Sequence, residues 1–376
     1  MAATGTSPGF HSAVFSSPRP YELLAAKNAT LRLRAPSGHV FSFTDLTSAQ
    51  GAVNFGHLNP AIDPLANLAS DLAIGFYPPA AAAYAEWLCG KLHLETHNVL
   101  YRVGGNSAVG AAISVAQRAR KGKILVIDGA SHGLGRKARS YRGTDSFVSI
   151  AAGSEFTAWD GVSCLVYEPI LGANGSVPLP LPWLRALSQS AQEADVIVIA
   201  DEIQCGFFRF GKLSLAMSEY LDPDMYLFGN SMTNGVYPLS AVVCRKTLDG
   251  GVLAGDGGGE LTFQTATLGY QAAECVANYI DSTDIDGQVE QINLALGEVG
   301  ERLAANPRLS SFHLAGPTLS LEVLNGRAMD LVHACEERCV LVGVRGGRVR
   351  LAPPITIPLE QLASALKVVE QAAVGL

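Results

Sequence analysis

Three short stretches of this 376-residue chain combine residue types that could do chemistry. In the first, Asp201 closes the apolar run Val196–Ala200 and Glu202 follows at once. A carboxylate there is costly to bury unless a cation or a set of donors meets it. The plainer alternative is a surface or helix-capping Asp-Glu pair. In the second, Gly104-Gly105-Asn106-Ser107-Ala108 lies between a candidate strand and a candidate helix. Glycines let the backbone approach an anion, and a helix N-terminus offers unpaired N–H groups and a positive dipole end. A phosphate suits that geometry, although many strand–helix turns carry glycine merely to turn. In the third, Val349-Arg350-Leu351-Ala352-Pro353-Pro354 offers a guanidinium fork that matches a carboxylate in bidentate fashion. Arg345 and Arg348 nearby leave open a single solvated basic face.

The elements that must position these groups alternate in type. Short apolar runs predict strands over Val99–Val103, Ile124–Asp128, Cys164–Glu168, Val196–Asp201 and Met225–Phe228. Helical patterns occupy Tyr84–Leu92, Ala108–Ala119, Trp183–Glu193 and Leu268–Asp281. Such alternation predicts an α/β domain with a largely parallel sheet. Residues 1–30 read as an arm, and Leu31–Leu46 as a hairpin around Pro36-Ser37-Gly38. A glycine-rich loop covers Asp256–Gly259. Residues 285–376 follow a looser α+β order of helix, strand, helix, strand and a final helix Leu359–Val374.

Composition narrows the class. Hydrophobic residues make up 48% and charged ones 16%, so much surface must be buried, part of it between subunits. The net charge of −7 argues against nucleic acid as a partner. Seven scattered cysteines without a CxxC pair favour reduced thiols and a cytoplasmic location. No run approaches the roughly 20 apolar residues needed to span a bilayer, and the first residues do not read as a signal peptide. A soluble protein with no membrane partner is expected. His93 and His97 have the wrong intervening glutamate for a zinc motif. His333, Cys335 and Cys339 read as packing residues, so no metal site is expected.

From Val196 to Cys244 the chain reads VIVIADEIQCGFFRFGKLSLAMSEYLDPDMYLFGNSMTNGVYPLSAVVC. It resembles the class III (ornithine aminotransferase-like) branch of the pyridoxal-phosphate enzymes, whose pattern is roughly ADE-Q-G-R-GK, then PD, then GK-x-x-x-G-YP-x-SAV. The resemblance runs from about residue 30 to the end. It implies a fold type I architecture, with a large domain around a mostly parallel seven-stranded sheet and a smaller α+β domain. The expected divisions are 1–45 contributing to the small domain, 46–280 as the large cofactor-binding domain and 281–376 as the C-terminal small domain. A homodimer with shared active sites follows.

The same resemblance implies residue roles. Gly105, Asn106 and Ser107 would hold the cofactor phosphate, Asp201 the pyridinium nitrogen, and Gln204 would lie near the phenolic oxygen. Glu168 matches the glutamate of an EP-x-x-G motif, and His132 ends a motif whose aromatic residue stacks on the ring. Thr262 would reach the phosphate of the neighbouring subunit. Arg350 would bind the substrate carboxylate, with Tyr77 (beside Phe76) and Gln50 lining the pocket. The family lysine that forms the Schiff base falls on Asn230, whose amide cannot form an imine.

Other positions depart as well: Ser107 replaces a glutamate, Ser131 cannot stack, Leu171 replaces a glutamine, and Ala173 stands where the ornithine enzymes carry an acid. Ornithine is therefore not the expected substrate. The expected cofactor is pyridoxal 5'-phosphate, or pyridoxamine phosphate or an external aldimine, held without a covalent bond to position 230. The partners would be an amino donor and a keto acid or aldehyde acceptor. Three readings remain open: an aminotransferase inactivated by substitution at position 230, a natural lysine-less enzyme of another reaction type, and a non-catalytic binding protein.

Overall fold

The computed structural model describes residues 21–67, 70–73, 78–132, 146–249 and 266–375. Its strands, in chain order, are β1 (Glu22–Lys27), β2 (Thr30–Arg34), β3 (Val40–Asp45), β4 (His97–Val103), β5 (Lys123–Ile127), β6 (Phe147–Ile150), β7 (Val162–Tyr167), β8 (Ile170–Leu171) and β9 (Val177–Pro178). Then come β10 (Ile197–Asp201), β11 (Met225–Phe228), β12 (Leu239–Arg245), β13 (Leu309–Ala315), β14 (Thr318–Val323), β15 (Val340–Leu341), β16 (Gly343–Arg345) and β17 (Arg348–Leu351).

Seven strands form one sheet in the order β4-β12-β11-β10-β7-β5-β6. Only β12 runs antiparallel to its neighbours, so the sheet is mostly parallel, as the alternating pattern predicts. β7 and β10 are buried along their whole length, which explains their unbroken apolar sequences. Their side chains still sort by period two. Cys164, Val166, Ile197 and Ile199 pack with Ala108, Val109 and Ala112 of the Gly105–Ala119 helix. Leu165, Tyr167, Val198 and Ala200 face the other way, onto Tyr84, Leu184, Leu187 and Val276 of three helices. Helices thus cover both faces, and every parallel strand ends along one edge.

A second core joins the chain's two ends. β13, β14, β17 and β16 form an antiparallel sheet, against which the Ile285–Ala304 helix packs, with the Leu359–Val374 helix behind it. Ala29 and Leu46 from the N-terminal segment share this core with Leu296, Leu321, Val349 and Leu366. β15 pairs in parallel with β3, so the N-terminal sheet β1-β2-β3 is closed by a C-terminal strand.

Several expectations need adjustment. β1 lies within the stretch read as an arm, and β6 and β12 were not expected. The C-terminal region holds five short strands where two were expected. The Gly105–Ala119 helix begins three residues before the predicted start, which puts the glycine turn at its first residue. The glycine-rich loop at 256–259 lies outside the described residues.

Candidate active site

The carboxyl edge of a parallel sheet is where strand-to-helix turns leave a crevice, and most of the singled-out residues gather there. Asp201 ends β10 and is buried. Its Oδ2 lies 2.8 Å from His132 Nδ1, and its Oδ1 accepts the Ile203 N–H at 3.2 Å. Each oxygen keeps acceptor capacity, since a carboxylate has about four lone-pair sites. Glu202, its neighbour, does something else. It accepts from the Ser214 hydroxyl and from the Leu215 (2.6 Å) and Ala216 (3.2 Å) N–H groups, at the start of a short turn. The Asp-Glu pair therefore divides its labour, with the capping role falling to Glu202 alone. Burial pushes Glu202 up to about 7, against the pull of its three donors.

His132 is buried, and its committed partner is Asp201. Burial opposes its charge, yet the bond to Asp201 and the nearby Glu168 carboxylate raise it above the ordinary imidazole value. Its Nε2 is buried without a hydrogen-bond partner among the described residues. Glu168 accepts the Ser131 N–H at 3.0 Å, which ties the 131–132 segment to the end of β7. Burial raises Glu168 well above the usual carboxylate range, with His132 pulling the other way.

The glycine turn lies beside this group. Gly104 adopts φ 78, a positive-φ conformation that suits glycine, and no side chain among the described residues caps the helix. A Cβ on Gly105 would fall 2.9 Å from Ile203 Cγ2, and one on Gly229 would fall 3.1 Å from the same atom. Ile203 therefore holds the turns after β4 and β11 against the turn after β10. Ser240 supports the arrangement by donating to the Gly104 carbonyl at 3.0 Å. The Ser107 N–H donates to Gly104 O at 3.1 Å, so the open first-turn donors are Gly105 and Asn106, which have no acceptor among the described residues.

Asn230 follows Gly229, is exposed and has φ 48. Its side chain has no hydrogen-bond partner among the described residues. Ser231 donates to the Gly51 carbonyl, which brings the 48–51 segment to the same mouth. There Gln50 accepts from Arg345. Gln204 lies directly over Gly172, where any Cβ would collide with its amide. Arg350, on β17, is 4% exposed and its Nη1 has no hydrogen-bond partner among the described residues. Burial, with Arg345 nearby, pushes it down to about 10. Tyr77, Phe76 and Thr262 lie outside the described residues.

One residue that the sequence reading passed over is Arg209. Fully buried, it donates to Asn54 Oδ1 (2.7 Å from Nε), the Pro353 carbonyl (3.2 Å) and the Ser48 hydroxyl (3.4 Å). It ties the 48–54 segment to the end of β17, next to Arg350. A signal was present: an arginine set among three phenylalanines, in Phe207-Phe208-Arg209-Phe210, has few ways to reach water. His93 follows the Pro79–Lys91 helix and His97 opens β4. Among the described residues no group of three or more His, Cys, Asp or Glu side chains could hold a metal ion. Nor is any of their helices long and apolar enough to cross a membrane.

Comparison with known proteins agrees with this geometry. A family model described as "Aminotransferase class-III" matches residues 147–373. An aminotransferase named PigE from a Serratia species is 28% identical over 233 residues, covering 56% of this chain. The chain spans 27% of that protein's length. Ornithine aminotransferase 2 of Staphylococcus aureus is 27% identical over 379 residues, covering 93% of each chain. Among solved structures, the ornithine aminotransferase of Toxoplasma gondii, described with partial occupancy of PLP at its active site, superposes with a TM-score of 0.85. It is 20% identical, with 97% of this chain and 92% of that one covered, a likeness of fold.

Proposed function

This chain belongs to the class III aminotransferases, and from that premise we propose that it binds pyridoxal phosphate and an amino-acid or amine substrate at the carboxyl edge of the seven-stranded sheet, without the covalent anchor. The observation that carries the reading is the buried Asp201 carboxylate, set by Ile203 against the uncapped Gly105 helix turn. The donor set fits the cofactor. Gly105 and Asn106 would receive its phosphate on open N–H groups, and Asp201 would keep its ring nitrogen protonated. Gln204 would lie near its phenolic oxygen. Bound there, pyridoxal phosphate supplies an aldehyde and an electron-accepting ring. The unpartnered Arg350 Nη1 fits a substrate carboxylate.

The side chains define what else the site can do. His132 and Glu168 hold the Asp201 carboxylate and the 131–132 segment in place. Asn230 offers neither an amine to condense with an aldehyde nor a base. Turnover by amino-group transfer is therefore withheld in this form. A second reading, a lysine-less pyridoxal or pyridoxamine phosphate enzyme of another reaction type, is favoured by Ser107, Ser131 and Leu171, which all depart from the family pattern.

The test is direct titration of the purified chain with pyridoxal phosphate, followed by visible absorbance after gel filtration. Retained cofactor is expected. Gly105→Val, whose side chain would crowd Ile203, should weaken retention about tenfold, in line with the usual cost of overpacking. Equal retention by both forms would argue against the phosphate site. We also place the cofactor-holding unit in residues 46–280, in a cytoplasmic homodimer in which Thr262 reaches the neighbouring site. Exposed Leu58 (79%) and Leu65 (67%) offer apolar surface for a second copy. Light scattering should give twice the 39.5 kDa chain mass, and a monomer at micromolar concentration would remove the shared-site arrangement.

A further inference from the structure

The hairpin of β16 and β17 carries three arginines whose register puts them on one face. Gly343 pairs with Arg350 and Arg345 pairs with Arg348. In an antiparallel ladder, paired residues and residues two apart share a face. Val344 and Val349 take the opposite face and pack in the C-terminal core. The three arginines differ in what meets them. Arg348 is neutralised by Glu322, 2.9 Å from Nη1, and its Nε donates to Ser320 at 3.0 Å. Arg350 is buried, and its Nη1 has no hydrogen-bond partner among the described residues. Arg345 is half-buried, and among the described residues its side chain donates only to the neutral side-chain oxygen of Gln50. Among the described residues, neither Arg345 nor Arg350 has a carboxylate partner.

Two further features leave this face open. Among the described residues, a Cβ on Gly343, directly opposite Arg350, would meet only the Arg350 carbonyl oxygen at 3.7 Å. Gln50 is presented by an uncommon backbone: Ser48, Ala49 and Gln50 are all left-handed, at φ 47, 48 and 63. Left-handed runs of non-glycine residues are unfavourable and persist where the surroundings impose them. Here Arg209 and the Ala352 carbonyl hold Ser48, the latter at 2.7 Å. Two like charges on one face, one of them desolvated, call for an anion between them.

We propose that Arg345, presented by Gln50, is a specificity-determining residue that takes a second anionic group of the substrate, so that this site selects dicarboxylic over monocarboxylic acids. The proposal rests on the reading above, in which Arg350 takes the first carboxylate. The Gln50 amide accepts from Arg345 and keeps two N–H donors for the same incoming carboxylate.

Calorimetric titration of the full chain, with and without pyridoxal phosphate, tests this with glutarate and pentanoate, which match in carbon number. Glutarate should bind roughly tenfold or more tightly than pentanoate, the worth of one charge-assisted contact. R345Q should abolish that preference and leave pentanoate affinity unchanged, whereas R345K should keep part of it. R350Q should weaken both acids. Thermal melting identifies any variant that does not fold, in which case R345K carries the comparison. If R345Q lowers both acids equally, or neither, the proposal is overturned. Cofactor loading is read separately from visible absorbance. A chain that holds no pyridoxal phosphate yet prefers glutarate refutes the proposed cofactor binding and upholds the role of Arg345. A chain that loads cofactor but binds both acids alike overturns Arg345 alone.

Discussion

Asn230→Lys is expected to raise transamination from background to a measurable rate, by on the order of 10³-fold or more. Moving an amino group requires a primary amine that can bond to the cofactor aldehyde and then, once freed, a base that shifts a proton. An amide nitrogen has no useful basicity and does not condense with an aldehyde, so the chain lacks an agent for both steps. Binding should be nearly unchanged, because no hydrogen bond among the described residues joins the Gly105 turn, Asp201 or Arg350 to position 230. The substitution should be tolerated, since the Asn230 side chain is exposed and makes no hydrogen bond among the described residues. Its one penalty is conformational. Position 230 has φ 48, and a left-handed residue other than Gly or Asn costs about 1–2 kcal/mol. The measurement is keto-acid release from a panel of amino donors, with both forms loaded with pyridoxal phosphate. Ordinary transaminase rates from the Asn230 form would mean that another base is at work. A silent Asn230→Lys form that binds cofactor normally would remove the aminotransferase reading's main support.

How much of this was legible depends on the range of the interactions. β7, β10 and β11 stand out because strands buried on both faces read as unbroken apolar runs. β12 was missed although Ala241–Cys244 is equally apolar, because its antiparallel direction follows from the turn over residues 234–237 that periodicity does not report. β1 was missed because an exposed edge strand need not alternate, and Leu23 and Leu24 both face solvent. At the site, positions could be read and partners could not. Asp201 and the Gly105 turn were visible as strand-end features, whereas the bond between His132 and Asp201 joins residues 69 apart. The same limit separates Arg348 from its neighbours: three arginines in six residues look alike until Glu322, from another strand, neutralises one.

Asp201→Ala should weaken pyridoxal phosphate binding by on the order of 100-fold or more, the expected result of removing one partner of a buried ion pair. It should also change how stability responds to pH. In the wild-type chain the pairing with Asp201 raises His132 above its ordinary value despite burial. A raised imidazole contributes stability that is fully present below its unfolded value, near 6.5, and is lost as pH rises through the folded value. With Asp201 gone, burial acts against the charge without the hydrogen bond that raised it, and the imidazole should fall. The variant's deficit should therefore be largest below about pH 6.5 and narrow as pH rises through the raised wild-type value. Asp201→Asn separates the causes, because an amide oxygen can still accept from His132 Nδ1 but carries no charge. It should recover part of the melting temperature at pH 8 and none of the cofactor affinity. Thermal melts of the cofactor-free forms from pH 5 to 8, with pyridoxal phosphate titrations on each, read both effects. If Asp201→Asn binds cofactor as the wild type does, the charge at 201 is not what holds the ring. A deficit independent of pH would mean that Asp201 supports His132 by packing and hydrogen bonding alone.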